Sequence, residues 1–355
     1  MGILVAATVA VVQLLFLVLL LAFLVVRRVY DRRQAAAFEA GKGALSAPLR
    51  AWLVAGAHPE PVVAVLRGMP RGTAVGYLAL LARQTIPDSN REELARALRG
   101  EHWVRHAVRQ AGSRFWWRRL EAARALSVTA DAAHRAIVQR LFFDTHPAVQ
   151  VAAAGALPRV ADAVLVGLVL DRLDSLPKVV RHYVTGVLRR ARELVAPALA
   201  ERIARGGHFA TVAAWVELAE AIAEPAAVAA SIARVGDPSP AVRRAIAKAL
   251  RRAPSPAAEA ALVTLLADRD PTVRAAAART VGELGLRSAV PALVPVLGDG
   301  VWIVRVRAAV SLAQLGERGK AALREARAGG DRFARDMAAM VTGLTEGAIL
   351  EMGDA

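Results

Sequence analysis

The chain has 355 residues, of which 47 are Lys or Arg and 31 are Asp or Glu, so its formal net charge is +16. It contains no cysteine, which excludes disulfides, cysteine-ligated zinc, iron–sulfur clusters and thiol catalysis. Hydrophobic residues make up 55% of the chain and aromatic residues only 5%. This composition favours closely packed helices over a β-sandwich, and the excess positive charge predicts attraction to anionic partners.

The first element in chain order is an uncharged run, Ile3–Val26, whose only strongly polar residue is Gln13. As a helix this run rises about 36 Å, enough to span a bilayer. Four arginines follow the run and no basic residue precedes it: Arg27, Arg28, Arg32 and Arg33. The positive-inside rule then predicts a single-pass protein of the inner (cytoplasmic) membrane, with the N-terminus outside and residues 27–355 in the cytoplasm. The alternative is a cleaved signal peptide, but the run lacks the basic n-region and cleavage site of one.

Residues 34–112 carry weaker patterns. Residues 1–33 are expected to be the anchor with its basic flank, and residues 34–48 are small and polar, as is typical of a juxtamembrane linker. Residues 49–112 predict an irregular helical cap. Its expected helices cover Pro48–Leu66, Thr73–Arg83 and Asp88–Arg99.

A repeat of 31 residues organises the rest of the chain, from residue 113 to 346. Three aspartates and three arginines keep this spacing: Asp237, Asp268 and Asp299, and Arg243, Arg274 and Arg305. Seven residues after each arginine, or its equivalent in the earlier repeats, the chain is apolar: Leu126, Leu157, Leu188, Ala219, Leu250, Val281 and Leu312. With small or apolar residues at offsets +3 and +4, this pattern marks one helical face. We therefore predict about seven pairs of antiparallel helices and a frayed tail over residues 347–355.

The last two complete repeats show where their helices should begin and end. In the sixth, we predict a first helix over Pro256–Ala267 and a second that starts at Pro271 and ends at Gly285. Proline suits the first turn of a helix, and glycine suits the residue after its end. In the seventh, the equivalents are Ser288–Leu297 and a helix that ends at Gly316.

The turn D-x-x-P-x-V-R, followed by x-x-A-A-x-x-L, resembles the HEAT-repeat family, particularly the short bacterial repeats related to phycobilisome lyases. The resemblance is clearest at residues 237–250, 268–285 and 299–316, and it covers about 113–345. It implies an all-α fold, in which a single N-terminal transmembrane helix precedes a HEAT-type α-solenoid. The repeat centred on Val212 departs from the pattern, with Gly206-Gly207 and Trp215. We interpret it as a break in curvature or a specialised surface.

The repeated aspartate and arginine are interpreted as structural. At the turn between the two helices of a pair, aspartate can cap the second helix, and arginine can reach the turn of the next repeat. Asp268 and Asp270 also match the D-x-D pattern of metal–nucleotide sites. Their position in the repeat turn already accounts for them.

The opposite face of the second helices is the candidate binding surface. Offsets +1, +2, +5 and +9 from the repeat arginine point away from the apolar face, toward the concave surface that the resemblance implies. Eight basic residues stand there and are the candidate partner-binding residues: Arg124, Arg159, Arg190, Arg244, Lys248, Arg252, Arg279 and Arg307. The acidic residues there are Glu121, Glu217 and Glu283. The alternative is that a chain of charge +16 is basic on every side.

Two further groups of residues have both a functional and a structural interpretation. Trp116 and Trp117, between arginines, could anchor a partner, but filling the junction between cap and first repeat is favoured. His102 and His106 stand at i and i+4, a spacing that can chelate a metal, but no third ligand is evident. We predict no catalytic residue, no cofactor and no metal.

The expected function is a membrane-anchored scaffold or adaptor that binds partner proteins on its concave face at the cytoplasmic membrane surface. It is not expected to be an enzyme, since the chain has no G-x-x-x-x-G-K-[ST], G-x-S-x-G or G-x-G-x-x-G motif. The expected partners are proteins in or at the same membrane, with bilayer contact through residues 3–26. The alternatives are a bilin-lyase-like enzyme, which the resemblance implies, and a nucleic-acid-binding module, which the charge favours; nucleic acid is the less expected partner.

Overall fold

The computed structural model describes the backbone of residues 2–83 and 86–354, and over these ranges the protein is all-α, without a strand. Side chains are described there except at residues 2–12, 19, 23, 26, 27, 30, 31, 34, 83, 88, 346, 353 and 354. The chain divides into two compact units, Met1–Val160 and Ala161–Ala355.

The first unit contains nine α-helices within its described residues. They are α1 (Gly2–Ala55), α2 (Glu60–Gly68), α3 (Arg71–Arg83), α4 (Asp88–Arg99), α5 (His102–Arg109), α6 (Trp116–Thr129), α7 (Arg135–Phe142), α8 (Pro147–Ala154) and α9 (Leu157–Val160). Two 3₁₀ turns lie between them, Gln110–Gly112 and Ala132–His134. The helices predicted over residues 73–83 and 88–99 are confirmed as α3 and α4.

The C-terminal half of α1 belongs to the core of the first unit. Leu45 and Trp52 are buried there, together with side chains of α2 to α6. Phe38 stacks on Tyr77 of α3, with ring centroids 4.4 Å apart. The segment for which the sequence predicts a linker is therefore helical and packed, and α1 continues through Pro48, where a new helix was expected.

The predicted membrane span is not found. Among the residues that the structure describes, no helix is long and apolar enough to cross a membrane. The prediction of a single-pass inner-membrane protein, with the N-terminus outside and residues 27–355 cytoplasmic, is wrong for this part of the chain. The side chains of residues 3–12, the first part of the predicted span, lie outside the described residues.

The second unit contains thirteen α-helices within its described residues. They are α10 (Ala163–Asp171), α11 (Lys178–Leu188), α12 (Arg192–Arg205), α13 (Phe209–Ala221), α14 (Pro225–Ala230), α15 (Pro240–Ala249), α16 (Pro256–Leu266), α17 (Pro271–Glu283), α18 (Val290–Leu293), α19 (Trp302–Gln314), α20 (Gly316–Ala328), α21 (Arg332–Thr342) and α22 (Glu346–Asp354). Five 3₁₀ turns complete it: Arg189–Ala191, Ser231–Arg234, Leu250–Arg252, Arg287–Ala289 and Pro295–Gly298.

These helices form two layers within the second unit. The second helices of successive pairs pack side by side in the order α13, α15, α17, α19 and α21. The first helices form the other layer, where α12 packs on α10 and α14, and α18 packs on α16 and α20. The predicted bounds of the sixth repeat are confirmed by α16 and α17. The sharp end of α17 depends on Gly285, whose φ of +65° is a left-handed conformation that favours glycine.

The 31-residue register is confirmed by burial. The seven apolar residues at offset +7 are all at most 2% exposed: Leu126, Leu157, Leu188, Ala219, Leu250, Val281 and Leu312. Small residues at offsets +3 and +4, such as Ala277 and Ala278, are fully buried as well. Small side chains let the axes of neighbouring helices approach, which explains a core rich in alanine.

The repeated arginine joins the turns of successive repeats. The Nε and Nη2 of Arg243 donate to the two carboxylate oxygens of Asp268, at 2.6 and 2.8 Å. Its Nη1 donates to the backbone carbonyls of Asp237 and Pro238, in its own turn, at 2.7 and 3.0 Å. Arg274 forms the same contacts with Asp299 and with its own turn. One guanidinium therefore holds two turns that lie 31 residues apart in the sequence.

The repeated aspartate shapes the turn and does not cap the helix. Asp268 accepts the backbone N–H of Asp270 at 2.8 Å, and Asp270 is itself the residue that caps α17. Asp237 and Asp299 accept the N–H two residues later in the same way. The predicted reach of arginine to the next turn is confirmed, and the predicted role of aspartate is corrected to an Asx turn that precedes the helix.

The first unit contains the same ion pair. Arg119 of α6 donates from Nε and Nη2 to Asp144, at 2.6 and 2.8 Å, and from Nη1 to the carbonyl of Ser113 at 3.0 Å. At the next repeat Gln150 replaces arginine and bonds only to the carbonyl of Asp144. We call these arginine–aspartate bridges, Arg119–Asp144, Arg243–Asp268 and Arg274–Asp299, the ladder.

The ladder is interrupted over three successive repeats, of which the last is centred on Val212. Trp215, three residues after Val212, is 6% exposed, with its indole N–H bonded to the carbonyl of Leu170 at 2.8 Å. Thr211 bonds to the carboxylate of Asp174 at 2.9 Å. The departure noted in the sequence is therefore a change of internal contacts within the second unit.

Truncation of an offset +7 residue should open a cavity. Leu250 is fully buried, so we expect Leu250→Ala to lower the free energy of unfolding by about 2–4 kcal/mol. Leu194→Ala is the matched control, since Leu194 is 46% exposed and its truncation should change stability by less than about 1 kcal/mol. Urea unfolding followed by circular dichroism measures both, and equal losses would contradict the register.

Breaking the ladder should destabilise the second unit. Arg243→Ala leaves the buried carboxylate of Asp268 without its partner, which costs about 3 kcal/mol. The neighbouring Arg244 is exposed, so Arg244→Ala should cost no more than about 0.5 kcal/mol. Urea unfolding of both variants is the measurement, and an equal cost would show that the ion pair adds no stability.

The cost of Arg243→Ala should depend on pH. Burial raises the pKa of Asp268, but hydrogen bonds from Arg243 and from the N–H of Asp270 outweigh it and hold the pKa below its ordinary value. The pair therefore stabilises the fold above the ordinary pKa of about 3.9 and loses this effect as pH falls through the lowered pKa. The difference in stability between the wild type and Arg243→Ala should shrink in acid.

Candidate protein-binding face

The candidate site is the exposed side of the second-helix layer in the second unit. We call it the B face; it is formed by α13, α15, α17 and α19, on the side away from the first-helix layer. The buried residues of α15 occupy the side toward the core. The apolar residues of each second helix stand at the offsets that face the core. The residues at the remaining offsets therefore point to solvent.

Three of the predicted site residues form one row on α15 and the 3₁₀ turn after it. Arg244, Lys248 and Arg252 are spaced at i, i+4 and i+8, so they follow one line along the helix, with about 6 Å between successive members. All three are exposed. Over the described part of the chain, none of the three has an ion pair or hydrogen bond from its side chain. We call them the α15 row.

The other predicted site residues are placed differently. Arg190 is exposed in the 3₁₀ turn after α11, and Arg124 is half-buried on α6 of the first unit. Arg159, also in the first unit, bonds to the backbone carbonyl of Arg91 and pairs with Glu92. Arg279 pairs with Glu283 at 2.7 Å. Arg307, the last of the eight, donates a hydrogen bond to the backbone of α22, as described below.

Acidic residues interrupt the basic stripe that the sequence predicts. Arg251, beside the α15 row, pairs with Glu220 of α13 and, at 3.6 Å, with Glu283 of α17. These contacts join three successive second helices across the B face. The uncompensated positive charge of the B face is consequently concentrated on α15.

The C-terminal helix α22 lies on the B face. It packs against α19 and α17, and the Nη1 of Arg307 donates to the backbone carbonyl of Met352 in its last turn, at 2.6 Å. A cation at the C-terminal end of a helix also interacts favourably with the helix dipole. Burial, and then the positive charge of Arg279, lowers the pKa of Arg307, but an arginine stays protonated.

Two buried valines lie on α19, the helix against which α22 packs. Val306 and Val310 stand at offsets +1 and +5 of α19, where α15 has Arg244 and Lys248, and they are 4% and 2% exposed. The composition of α22 is acidic, with Glu346, Glu351 and Asp354, and Glu351 is exposed. The B face therefore binds a short acidic helix of this chain.

The sequence reasoning missed α22, because the tail was expected to fray. A signal for it exists, since Ala348, Ile349 and Met352 stand at i, i+1 and i+4, which places them on one side of a helix. All three are partly buried. Nine residues are too few for a stable isolated helix in water, so only its contacts with α17 and α19 account for it.

The aromatic segment before the first repeat lies at the surface. Trp116 is 40% exposed and stacks on His146, with ring centroids 3.9 Å apart, and Trp117 is 50% exposed and stacks on Phe115. The prediction that a tryptophan fills the junction inside the protein is therefore wrong. These rings stack on neighbouring rings instead of entering the core.

The other groups singled out in the sequence have structural contacts. Asp268 and Asp270 are engaged in the repeat turn, as described above. His106 is half-buried, and the positive charge of Arg71, followed by burial and by Arg109, lowers its pKa. Over the described residues, no group of three or more potential metal ligands is found.

Comparison with known proteins agrees with the repeat. Residues 259–342 match a protein-family model described as HEAT repeats. The chain resembles the crystal structure of a mutant of Kap121p, with a TM-score of 0.53 and 12% identity, over 81% of this chain and 38% of that one. At this identity the likeness shows the fold alone, which is that of stacked HEAT-type helix pairs. No curated protein sequence matches the chain.

Two other solved structures are more distant. Kap95p, from a study of its binding to RanGDP, has a TM-score of 0.47 and 14% identity, over 78% of this chain and 46% of that one. An engineered protein has a TM-score of 0.37 and 20% identity, over 92% and 96%. These values add nothing to the fold assignment. The resemblance to phycobilisome-lyase-type repeats receives no support from these comparisons.

Removal of the contact between Arg307 and α22 should loosen that helix. A hydrogen bond from a charged donor contributes about 1.5–3 kcal/mol, so Arg307→Gln should speed hydrogen exchange of the amides in residues 346–354 about tenfold or more. Arg327→Gln is the matched control, since Arg327 is exposed on α20. Exchange measured by mass spectrometry reports both, and identical protection of α22 in the two variants would contradict its docking.

Proposed function

We propose that this protein is a non-enzymatic interaction scaffold, which binds an acidic helical segment of a partner protein on the B face of its second unit. The observation that carries the proposal is the docking of α22, an acidic helix, on that face. The same layer of second helices, with exposed cations on α15, would receive another such helix from a partner.

The α15 row is the proposed contact for the partner. Arg244, Lys248 and Arg252 are exposed and lack carboxylate partners over the described residues, whereas the neighbouring Arg251 and Arg279 are already paired. A helix that lies along α15, beside α22, would place acidic side chains against the three cations. Stacked helix pairs offer such extended surfaces because each pair adds one more helix to the layer.

The partner segment should be apolar on one side as well as acidic. Exposed ion pairs contribute only about 0–1 kcal/mol each, so three of them cannot supply specific binding. In the docking of α22, the buried Val306 and Val310 accompany the bond of Arg307. Charge on the α15 row would mainly guide association and set its orientation.

The test compares two triple variants of equal charge change. Arg244→Glu, Lys248→Glu and Arg252→Glu reverse the α15 row, and Arg287→Glu, Arg318→Glu and Arg327→Glu reverse three exposed arginines elsewhere in the second unit. Immobilised full-length protein captures partners from native extract, with and without nuclease treatment, and mass spectrometry quantifies them. Each protein that the wild type retains is then purified, and its dissociation constant is measured for all three forms at two salt concentrations.

The α15-row variant should bind the purified partner at least tenfold more weakly, with association slowed, because attraction becomes repulsion. The control variant should stay within about twofold of the wild type, since its charges lie outside the contact. Both should unfold at the same denaturant concentration as the wild type, because exposed arginines add little stability. Equal weakening in the two triple variants would reduce the effect to bulk charge, and loss of all capture after nuclease treatment would favour nucleic acid as the ligand.

A further inference from the structure

A cavity of about 480 Å³ opens in the first unit, between the end of α4, the helix α5 and the turn that follows α6. Its volume lies within the range of roughly 300–1,000 Å³ that is usual for small-molecule sites. Val104 and Val108 of α5 and Thr129 at the end of α6 line its apolar part. Val104 and Thr129 are almost completely buried, so this part of the wall belongs to the packed core.

Positive side chains surround the cavity. Five cationic or titratable residues line it: Arg99, His102, Arg105, Arg109 and His134. Three of them come from α5, at i, i+3 and i+7, a spacing that puts them on one side of that helix. One side of α5 therefore faces the core, and the adjoining side presents positive charge to the cavity.

Carboxylates balance only part of this charge. Asp131 bonds to His134 at 2.7 Å and to Arg99 at 3.2 Å, and Arg99 also pairs with Glu92. Over the described residues, His102, Arg105 and Arg109 have no carboxylate partner. Two permanent positive charges and one titratable histidine consequently remain on one side of the cavity.

Two further observations concern the charge near the cavity. The Nε of Arg99 is buried and lacks a hydrogen-bond partner among the described atoms, which is costly for a charged donor. The neighbouring His106 has a lowered pKa, caused first by the charge of Arg71, then by burial and by Arg109 and His102. Arg109 and His102 line the cavity, so part of this effect comes from the positive charge beside it.

We infer that this cavity binds a small organic phosphate, namely a phosphomonoester with an apolar body. A phosphomonoester carries about 1.5 to 2 negative charges at neutral pH, which matches the two uncompensated arginines. Arginine donates two parallel hydrogen bonds to phosphate oxygens, so Arg105 and Arg109 would hold the head group. The apolar body would lie against Val104 and Val108. This site is separate from the B face and does not depend on the proposed scaffold function.

The experiment uses phenyl phosphate as the probe, titrated into the full-length protein by isothermal calorimetry. The double variant Arg105→Gln and Arg109→Gln removes the proposed head-group contacts. The matched control, Arg50→Gln and Arg96→Gln, removes two exposed arginines of the same unit that lie outside the cavity. Thermal unfolding of both variants checks that the fold is kept.

The wild type and the control should bind phenyl phosphate with dissociation constants within about twofold of each other, whereas the cavity variant should bind at least tenfold more weakly. Inorganic phosphate should bind more weakly than phenyl phosphate, because it lacks the apolar body. Absence of saturable binding, or equal weakening in both variants, would overturn the inference. Displacement of phenyl phosphate by phosphatidylcholine vesicles that contain phosphatidic acid would make the ligand a lipid head group and overturn its assignment as a free small molecule.

Discussion

The arginine–aspartate bridge between successive turns is the interaction that fixes how helix pairs stack at the three places where it forms. The hydrophobic effect drives the pairs together but is non-directional. The bidentate contact of Arg243 with Asp268 fixes the register, since both carboxylate oxygens and two carbonyls of the arginine's own turn must be reached at once. Removing these charges from water is unfavourable, and only such complete hydrogen bonding compensates for it.

Where the ladder ends or is interrupted, other contacts join the helix pairs. At the end of the series, the residue 31 after Asp299 is Gly330, so Arg305 has no aspartate to reach. It bonds to the carbonyl of Asp299 and places its guanidinium over the ring of Phe333, 4.4 Å from the centroid. At the repeat of Val212, buried Trp215 supplies the contact. Each substitution keeps a link between helix pairs while changing its chemistry.

The 31-residue repeat that places the core residues also determines which residues form the B face. Residues at offsets outside the core can be charged, and their type differs from one repeat to the next. On α15 they are Arg244, Lys248 and Arg252 and are exposed, whereas on α19 they include Val306 and Val310 and are buried. The transition from exposed charge to buried valine along one face corresponds to the place where α22 docks. Both proposals, on the B face and on the cavity beside α5, concern charge that the fold itself leaves uncompensated.

The sequence by itself determined the helical repeat, its 31-residue register, the residues at offset +7 and the reach of arginine to the next turn, because these follow from periodicity along one chain. It could not determine which exposed charges are paired. Arg251 meets Glu220 and Glu283, and Arg159 meets Glu92, only because distant segments pack together. The docking of α22 and the cavity beside α5 were likewise decided by tertiary contacts. The spacing of Ala348, Ile349 and Met352 favours a helix, but a nine-residue helix gains its stability from the surface that receives it, which no local pattern specifies. The cavity arises where α4, α5 and the end of α6 converge, so it too depends on tertiary packing.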